Sequence, residues 1–213
     1  MIGDGKVGKT SIIRRLTENK FSEKYVPSIS LEYTNYCLKL NNYIIRMQIW
    51  DTSGQEKYEF NSIISNYYKT ADVAIFVYSI NDINTFNNAQ EYIKDLLNEN
   101  EEENNNIRKV LLGNKSDLFN ERKVDKKIAK NFGDENDFDI FSEISCKGEN
   151  TTIKTIFDDI GKLLYNENSR LSNSSSFQYS AGPSILEVES REPSSAKDDK
   201  NNKNVCCFCC NIF

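Results

Sequence analysis

The sequence predicts a doubly wound α/β domain whose six-stranded sheet is mostly parallel, with one antiparallel edge strand. Two observations carry this prediction. Apolar runs alternate with amphipathic stretches as far as residue 165, and strands that alternate with helices form mostly parallel sheets covered on both faces. Polar motifs follow several of the apolar runs, at the strand ends where open α/β sheets bind ligands. We therefore expect one domain over residues 1–165 and a tail over residues 166–213.

The individual elements follow from the spacing of the apolar residues. Strands are predicted over residues 36–40, 44–50, 73–78, 110–112 and 139–144. Helices are predicted over residues 11–18, 85–98, 126–132 and 153–164. The polar segment 41–43 between the first two strands is typical of a hairpin turn, which accounts for the antiparallel edge strand.

The composition excludes several classes of chemistry. The chain has a net charge of −5, which argues against a nucleic-acid-binding surface because such surfaces need a basic face. It has no histidine, and this removes histidine general bases, histidine metal ligands and the usual hydrolase triads. The sequence contains no apolar run long enough to span a bilayer and no secretory signal at its start. Four of the six cysteines lie close together at the C-terminus, whereas the cysteines of a disulfide-bonded protein would be spread through the fold. The pattern therefore favours a protein of a reducing compartment.

The first motif is a glycine-rich loop directly before the first predicted helix. It consists of Gly3, Asp4, Gly5, Lys6, Val7, Gly8, Lys9 and Thr10, and Ser11 follows it into the helix. This spacing fits the phosphate loop, whose backbone N–H groups turn inward on a β-phosphate at the positive end of a helix. Lys9 would reach the β- and γ-phosphates, and the Thr10 hydroxyl would ligate Mg²⁺. The loop predicts nucleotide binding and leaves ATPases, kinases and GTPases open.

The second motif follows the apolar run 110–112 and narrows the choice of base. It contains Asn114, Lys115 and Asp117. A carboxylate at this strand end can accept hydrogen bonds from the N1–H and the 2-amino group of guanine. Adenine offers neither donor, and a buried carboxylate left unpaired costs about 1–3 kcal/mol or more. In a chain that also has a phosphate loop before it, this motif predicts a preference for guanine nucleotides.

The third motif closes the predicted strand 44–50. Asp51 would hold Mg²⁺ through water, Gly54 would offer its N–H to the γ-phosphate, and Gln55 would orient the attacking water. A polar turn at a strand end would explain these residues singly. Their combination with the other two motifs favours a catalytic role for Gln55.

On these motifs the chain resembles the small GTPases of the Ras superfamily and, within it, the Rab family. The resemblance covers residues 3–164 and the C-terminal cysteines, with family markers at residues 49–52, 67–71 and 77–82. It implies a base-binding loop at residues 143–147, which includes Ser145. In that loop the backbone N–H of Cys146 would meet guanine O6, Lys147 would stack on the base, and Phe21 would face the base as the family's aromatic residue.

The resemblance also implies roles for two residues of the first switch segment, around residues 25–30, and the sequence departs from the family pattern there and after Asp51. Tyr25 would close over the phosphates, and Ser28 would ligate Mg²⁺ when GTP is bound. Ser28 stands where threonine is usual, Ser30 where glycine is usual and Ser53 where alanine is usual, and two extra residues lie around positions 59–66. These departures bear on which effectors the chain recognises more than on nucleotide binding.

The resemblance implies a GTP/GDP switch with Mg²⁺, slow intrinsic hydrolysis and a role in vesicle traffic. The implied partners are an exchange factor, a GTPase-activating protein, escort or dissociation-inhibitor proteins, effectors and a membrane. A monomer that cycles between the cytosol and the cytoplasmic face of an intracellular membrane is expected, with no nucleic-acid partner. The alternatives are a nucleotide-binding module that does not hydrolyse GTP, an ATP-using phosphotransferase, which Asp117 opposes, and a truncated, non-functional gene model.

The start of the chain is unusually short for a strand that should precede the phosphate loop. A phosphate loop should follow a buried strand, and only Met1 and Ile2 precede this one. Removing a buried parallel strand deletes apolar side chains that contribute about 1.5–3 kcal/mol each. We expect that the first strand is largely missing here, that its place in the sheet is empty or a stub, and that the start was assigned at an internal methionine.

The tail is expected to be a disordered tether over residues 166–205 that ends in a lipidation signal. Cys210 begins a C-a-a-X frame that ends in phenylalanine, typical of geranylgeranylation, and Cys209 with Cys210 resembles a Rab double-cysteine ending. A thiolate metal site and a tail of free thiols are the alternatives. Because one lipid chain anchors only marginally, stable attachment should need both cysteines.

Overall fold

A computed structural model describes residues 1–24, 32–40, 43–52, 71–100, 107–174 and 206–212. The helices are α1 (Lys9–Glu18), α2 (Ile83–Asn100), α3 (Lys126–Glu135) and α4 (Thr151–Ser174), with a 3₁₀ turn at Phe119–Glu121. The strands are β1 (Glu32–Leu40), β2 (Tyr43–Asp51), β3 (Val73–Ser79), β4 (Arg108–Asn114), β5 (Ile140–Glu143) and β6 (Cys206–Ile212).

These strands form a sheet in the order β1-β2-β6-β3-β4-β5. Strand β1 pairs antiparallel with β2, from Glu32 opposite Asp51 to Leu40 opposite Tyr43, and every other pairing is parallel. The antiparallel edge strand predicted from the segment 41–43 is therefore present, while residues 41 and 42 lie outside the described residues. The carboxyl ends of β3 and β4 lie at the same edge of the sheet, which is where the polar motifs begin.

Two apolar clusters cover the two faces of the sheet, because successive side chains of a strand point to opposite faces. On β3, Val73, Ile75 and Val77 belong to one cluster, which includes residues of α1 and α4. Ala74, Phe76 and Tyr78 belong to the other, which includes residues of α2 and α3. Burial on both sides explains why the central strands are continuous apolar runs.

The observed elements extend the predicted ones at several ends. Strand β1 begins at Glu32, before the first apolar residue of the predicted strand, because backbone pairing with β2 continues past the half-buried positions. Helix α3 begins where predicted, and its N-cap Asp125 accepts hydrogen bonds from the backbone N–H groups of Lys127 and Ile128. Helix α4 continues to Ser174, beyond the expected domain boundary at residue 165.

The place between β2 and β3 departs from the sequence-based expectation. It is occupied by β6, which pairs parallel with β2 from Cys206 opposite Tyr43 to Ile212 opposite Ile49. Ile2 continues beside β3, where its N–H donates to Ile75 O and its C=O accepts from Val77 N, both at 2.8 Å. The expectation that this place is empty or holds only a stub is thus corrected. So is the expectation that the cysteine-rich end is only a lipidation signal on a disordered tether, because residues 206–212 form a strand of the sheet.

The physical reason lies in the two strands that flank this place. β2 and β3 each present a row of backbone N–H and C=O groups, and buried groups of this kind need partners. Strand β6 supplies partners along β2 and, at Ile212, for Val73 of β3, while Ile2 bonds to Ile75 and Val77 of β3. This pairing places Cys210 and Ile212 in the apolar cluster that includes residues of α1 and α4, at 3 % and 0 % exposure. Strand pairing therefore takes up the cysteine-rich segment that was expected to be a lipidation signal at the end of a disordered tether.

Among the described residues, the helices are all too short or too polar to cross a membrane.

Candidate nucleotide-binding site

The loop between Ile2 and α1 has the backbone shape that its glycines predict. Gly3 and Gly8 have φ values of 148° and 104°, in the region that side chains rarely adopt. A Cβ atom on Gly3 would lie 2.2 Å from Val77 O, and one on Gly8 would lie 2.3 Å from Asn114 Nδ2. These two glycines allow the loop to pack closely against the ends of β3 and β4.

Lys9, the first residue of α1, points back into this loop. Its side chain is 4 % exposed, and Nζ donates to Gly3 O and, at 3.2 Å, to Asp4 O. A buried ammonium group held by carbonyl oxygens on the inside of the loop is placed to meet an anionic group there.

Thr10 and Asp51 come together from α1 and the end of β2. The Thr10 hydroxyl donates to Asp51 Oδ2 at 2.6 Å. A hydroxyl and a carboxylate are oxygen ligands, the kind that Mg²⁺ prefers, and the ion usually keeps several waters. The donor set therefore fits the predicted magnesium site, in which Asp51 acts through water.

Asp4 has partners on α2 that were not predicted from the sequence. Asn88 Nδ2 donates to its Oδ2 at 2.5 Å, and the Tyr92 hydroxyl donates to its Oδ1 at 2.7 Å. Both donors lie on α2, one helical turn apart, which places them on one face of the helix. Their spacing is the signal in the sequence that could have suggested a shared partner.

Asn114 joins the phosphate loop to the predicted base-binding residues. It is 2 % exposed at the end of β4, and its Nδ2 donates to Val7 O at 2.7 Å. Its Oδ1 accepts from Cys146 Sγ at 3.6 Å. Burial raises the pKa of the Cys146 thiol to about 12, so this thiol is protonated at neutral pH and can donate.

The predicted base-binding residues themselves are close together. The Ser145 hydroxyl donates to Asp117 Oδ1 at 2.5 Å and accepts from Lys147 N at 3.1 Å. The Lys147 ammonium pairs with Glu23 at 2.7 Å, and this hydrogen bond lowers the pKa of the Glu23 carboxyl and raises that of Lys147. Glu23 was not among the predicted site residues.

Lys115 adopts a left-handed backbone conformation, with φ of 65°. Burial lowers the pKa of its ammonium group, against the opposing charges of Asp82 and Asp117. Burial of this kind lets the aliphatic part of a lysine side chain pack along one wall of a pocket.

One cleft of about 370 Å³ brings these groups together. Its lining includes the predicted residues Asp4, Gly5, Lys6, Gly8, Lys9, Thr10, Ser11, Phe21, Asn114, Lys115, Asp117, Cys146 and Lys147. The predicted residues Tyr25, Ser28, Gly54 and Gln55 lie outside the described residues. The cleft thus joins the phosphate loop to the base-binding motif.

Comparison with known proteins gives the same classification. A sequence profile of the Ras family matches residues 1–166. The chain is similar to Ras-related protein Rab-11B of Dictyostelium discoideum, with 38 % identity over 78 % of this chain and 72 % of that protein. Ras-related proteins Rab-1C and Rab-1A of the same organism are 36 % and 35 % identical, each over 74 % of this chain, and these matches cover 75 % and 74 % of those proteins.

The family match and the mostly parallel sheet with its helices fit the fold of a P-loop GTPase domain. The chain belongs to the Ras superfamily and, within it, to the Rab family of small GTPases. Members of this superfamily bind GTP or GDP with Mg²⁺, and the predicted family resemblance is confirmed.

Proposed function

We propose that this chain is a guanine-nucleotide switch that hydrolyses GTP slowly to GDP and phosphate. The observation that supports it best is that one and the same cleft is lined by phosphate-loop residues, Thr10 among them, and by Asp117. Asn114 connects the phosphate end to the base end through Val7 and Cys146. A nucleotide bound there would meet groups suited to both its phosphates and its base.

At the phosphate end, the loop N–H groups and Lys9 bind and orient the β- and γ-phosphates. Thr10, Ser28 and, through water, Asp51 would hold Mg²⁺, which supplies charge neutralisation across these phosphates when bound. Gln55 orients a water molecule, and the N–H of Gly54 contacts the γ-phosphate. The water oxygen bonds to the γ-phosphorus as the bond to the bridging oxygen breaks, GDP leaves, and the water proton passes to the phosphate.

At the base end, Asp117 selects guanine by accepting hydrogen bonds from N1–H and the 2-amino group. Ser145, whose hydroxyl donates to Asp117 Oδ1, orients the carboxylate for this purpose. The backbone N–H of Cys146 meets O6, and Phe21 and Lys147 flank the ring. ATP would leave the Asp117 carboxylate without these donors, which costs about 1–3 kcal/mol or more.

Single-turnover phosphate release from GTP tests the proposal on the full chain. We expect slow release that is lost in Gln55→Leu, while the affinity for GDP is retained. Asp117→Asn should lose the preference for GTP over ATP, and unchanged selectivity would show that another residue reads the base. Tight GTP binding without release would favour the alternative, a binding module, which the departures at Ser28 and Ser53 make the second candidate.

We further propose a role in membrane traffic, with a membrane anchor at Cys209 and Cys210. The similarity to Rab-named proteins supports this role, together with the cysteine ending. Regulators that exchange nucleotide, stimulate hydrolysis or escort the lipidated chain would act on it, and effectors would read its switch segments. Because Cys210 is 3 % exposed within β6, lipidation requires that β6 leave the sheet.

A further inference from the structure

Arg15, in the last turn of α1, contacts the segment that carries the base-binding loop. Its Nε donates to the backbone carbonyl of Cys146 at 2.8 Å, across 131 positions of the chain. Its Nη1 donates to Asn19 O and Asn19 Oδ1, at 3.1 and 3.3 Å. Asn19 is the C-cap of α1 and has a left-handed backbone, with φ of 54°. One guanidinium group therefore joins the end of α1 to the loop at residues 145–147.

The same guanidinium group also lies beside the aromatic residue predicted to face the base. Its Cζ is 6.0 Å from the centre of the Phe21 ring, the outer limit of a cation–π contact. Phe21 and Cys146 both line the nucleotide cleft. Arg15 thus contacts two residues, Cys146 and Phe21, that line the nucleotide cleft.

We propose that Arg15 is a positioning residue for guanine, an inference that rests on the proposed nucleotide binding. By holding Cys146 O, it fixes the loop in which the Cys146 N–H points at guanine O6, and by holding Asn19 it fixes the turn that leads to Phe21. The planar fork of arginine suits this task because Nε and Nη1 reach two acceptors at once, whereas lysine offers a single point charge.

The experiment measures nucleotide release and base discrimination in the full chain. Fluorescent mant-GDP is released into excess GDP, and GDP, 6-thio-GDP and IDP compete for the site at equilibrium. For Arg15→Gln we expect release about tenfold faster, as for the loss of a charge-assisted hydrogen bond. The preference for GDP over 6-thio-GDP, which reports on O6, should shrink. The preference for GDP over IDP, which reports on the 2-amino group and Asp117, should stay.

A matched control is Arg108→Gln, which removes the same charge from the start of β4, where Arg108 pairs with Asp139 at 3.0 Å. It should leave release and both preferences unchanged. Arg15→Lys keeps the charge and provides a second test variant should Arg15→Gln fold poorly. Its release rate and its preference for GDP over 6-thio-GDP should fall between those of the wild type and Arg15→Gln.

The outcomes separate the two proposals. A wild-type chain that does not bind mant-GDP would overturn the proposed function itself. A wild-type chain that binds, with Arg15 variants that release nucleotide at the wild-type rate, would overturn the positioning role alone. Weaker binding of all three competing nucleotides by one common factor would also overturn it, because that result indicates general loosening of the fold without selective loss at O6.

Discussion

The side-chain amide of Asn114 donates a hydrogen bond of 2.7 Å to the backbone carbonyl of Val7, across 107 positions of the chain. This contact joins the end of β4 to the phosphate loop in a place where Asn114 is 2 % exposed. A residue predicted to belong to the base-binding motif therefore also supports the phosphate end of the cleft.

Asn114→Ala should weaken both ends of the cleft. It leaves the buried Val7 carbonyl without this donor, at a cost of about 1–3 kcal/mol. We expect a lower free energy of unfolding by that amount, measured in urea, and faster release of mant-GDP. Asn87→Ala, on the exposed side of α2, should change stability by less than about 0.5 kcal/mol. Equal effects of the two variants would contradict the role of Asn114.

Tyr92→Phe removes one hydroxyl, the one that donates to Asp4 Oδ1 at 2.7 Å. Asp4 keeps its bond from Asn88, so the phosphate loop should stay folded but be less firmly held. A hydrogen bond to a charged group contributes about 1.5–3 kcal/mol, and urea unfolding should detect a loss of that order. Tyr33→Phe, where Tyr33 is 52 % exposed, serves as the control and should be close to neutral. A neutral Tyr92→Phe would show that α2 does not support the loop.

The ion pair of Glu23 with Lys147 should slow nucleotide release. Both side chains are exposed, so Glu23→Gln should speed mant-GDP release only about two- to threefold. Added salt should speed release from the wild type more than from the variant, because salt screens exposed charges. Asp159→Asn breaks an exposed pair of equal length, 2.7 Å, with Lys162 on α4, and should have no such effect.

The pH dependence of this pair follows from the lowered pKa of Glu23, whose ordinary value is 4.5. A carboxyl whose folded-state pKa is depressed contributes stability above its unfolded value and loses it as pH falls through the folded value. The slowing of release by this pair should therefore be fully present and independent of pH near neutrality, and it should be lost, with faster release, as pH falls below 4.5. A change centred near neutrality would point to another group.

Thiol labelling should divide the cysteines by burial. Cys37 is exposed, whereas Cys146 and Cys210 are buried. The pKa of Cys146, raised to about 12, leaves almost no thiolate at pH 8, and thiolate is the reactive form. Peptide mass spectrometry after brief iodoacetamide treatment should find Cys37 labelled first and Cys146 and Cys210 protected. Labelling of Cys210 as fast as Cys37 would contradict the placement of β6 in the sheet.

Membrane attachment should depend on Cys209 and Cys210 together. Each lipid chain contributes about 0.8 kcal/mol per buried CH₂, and two chains convert brief contact into stable anchoring. Cys209→Ser should weaken membrane association in cell fractions, and Cys209→Ser with Cys210→Ser should abolish it without changing GTP affinity. Bare thiols on the C-terminal peptide, or a double variant that stays on membranes, would favour acylation of Cys206 and Cys207 or metal binding.

The sequence by itself was sufficient to predict the structural features that depend on residues near one another along the chain. The period of the apolar residues located the helices and the strands β1 to β5, because burial on one or two faces imposes a local repeat. The glycine spacing before α1 predicted the loop that packs against Val77 and Asn114. The side-chain types of Thr10 and Asp51 predicted a pair of oxygen ligands, and in the structure Thr10 Oγ1 lies 2.6 Å from Asp51 Oδ2.

Only the tertiary structure decided which distant groups meet. The contacts of Asn88 and Tyr92 with Asp4, and of Arg15 with Cys146, join positions that no local pattern relates. The position of β6 was likewise decided by the sheet. The backbone edge of β2, joined by Val73 of β3, pairs with the segment that supplies matching N–H and C=O groups and buries its apolar side chains. Local spacing determines what a segment can form, whereas packing and pairing across the whole chain determine where it lies.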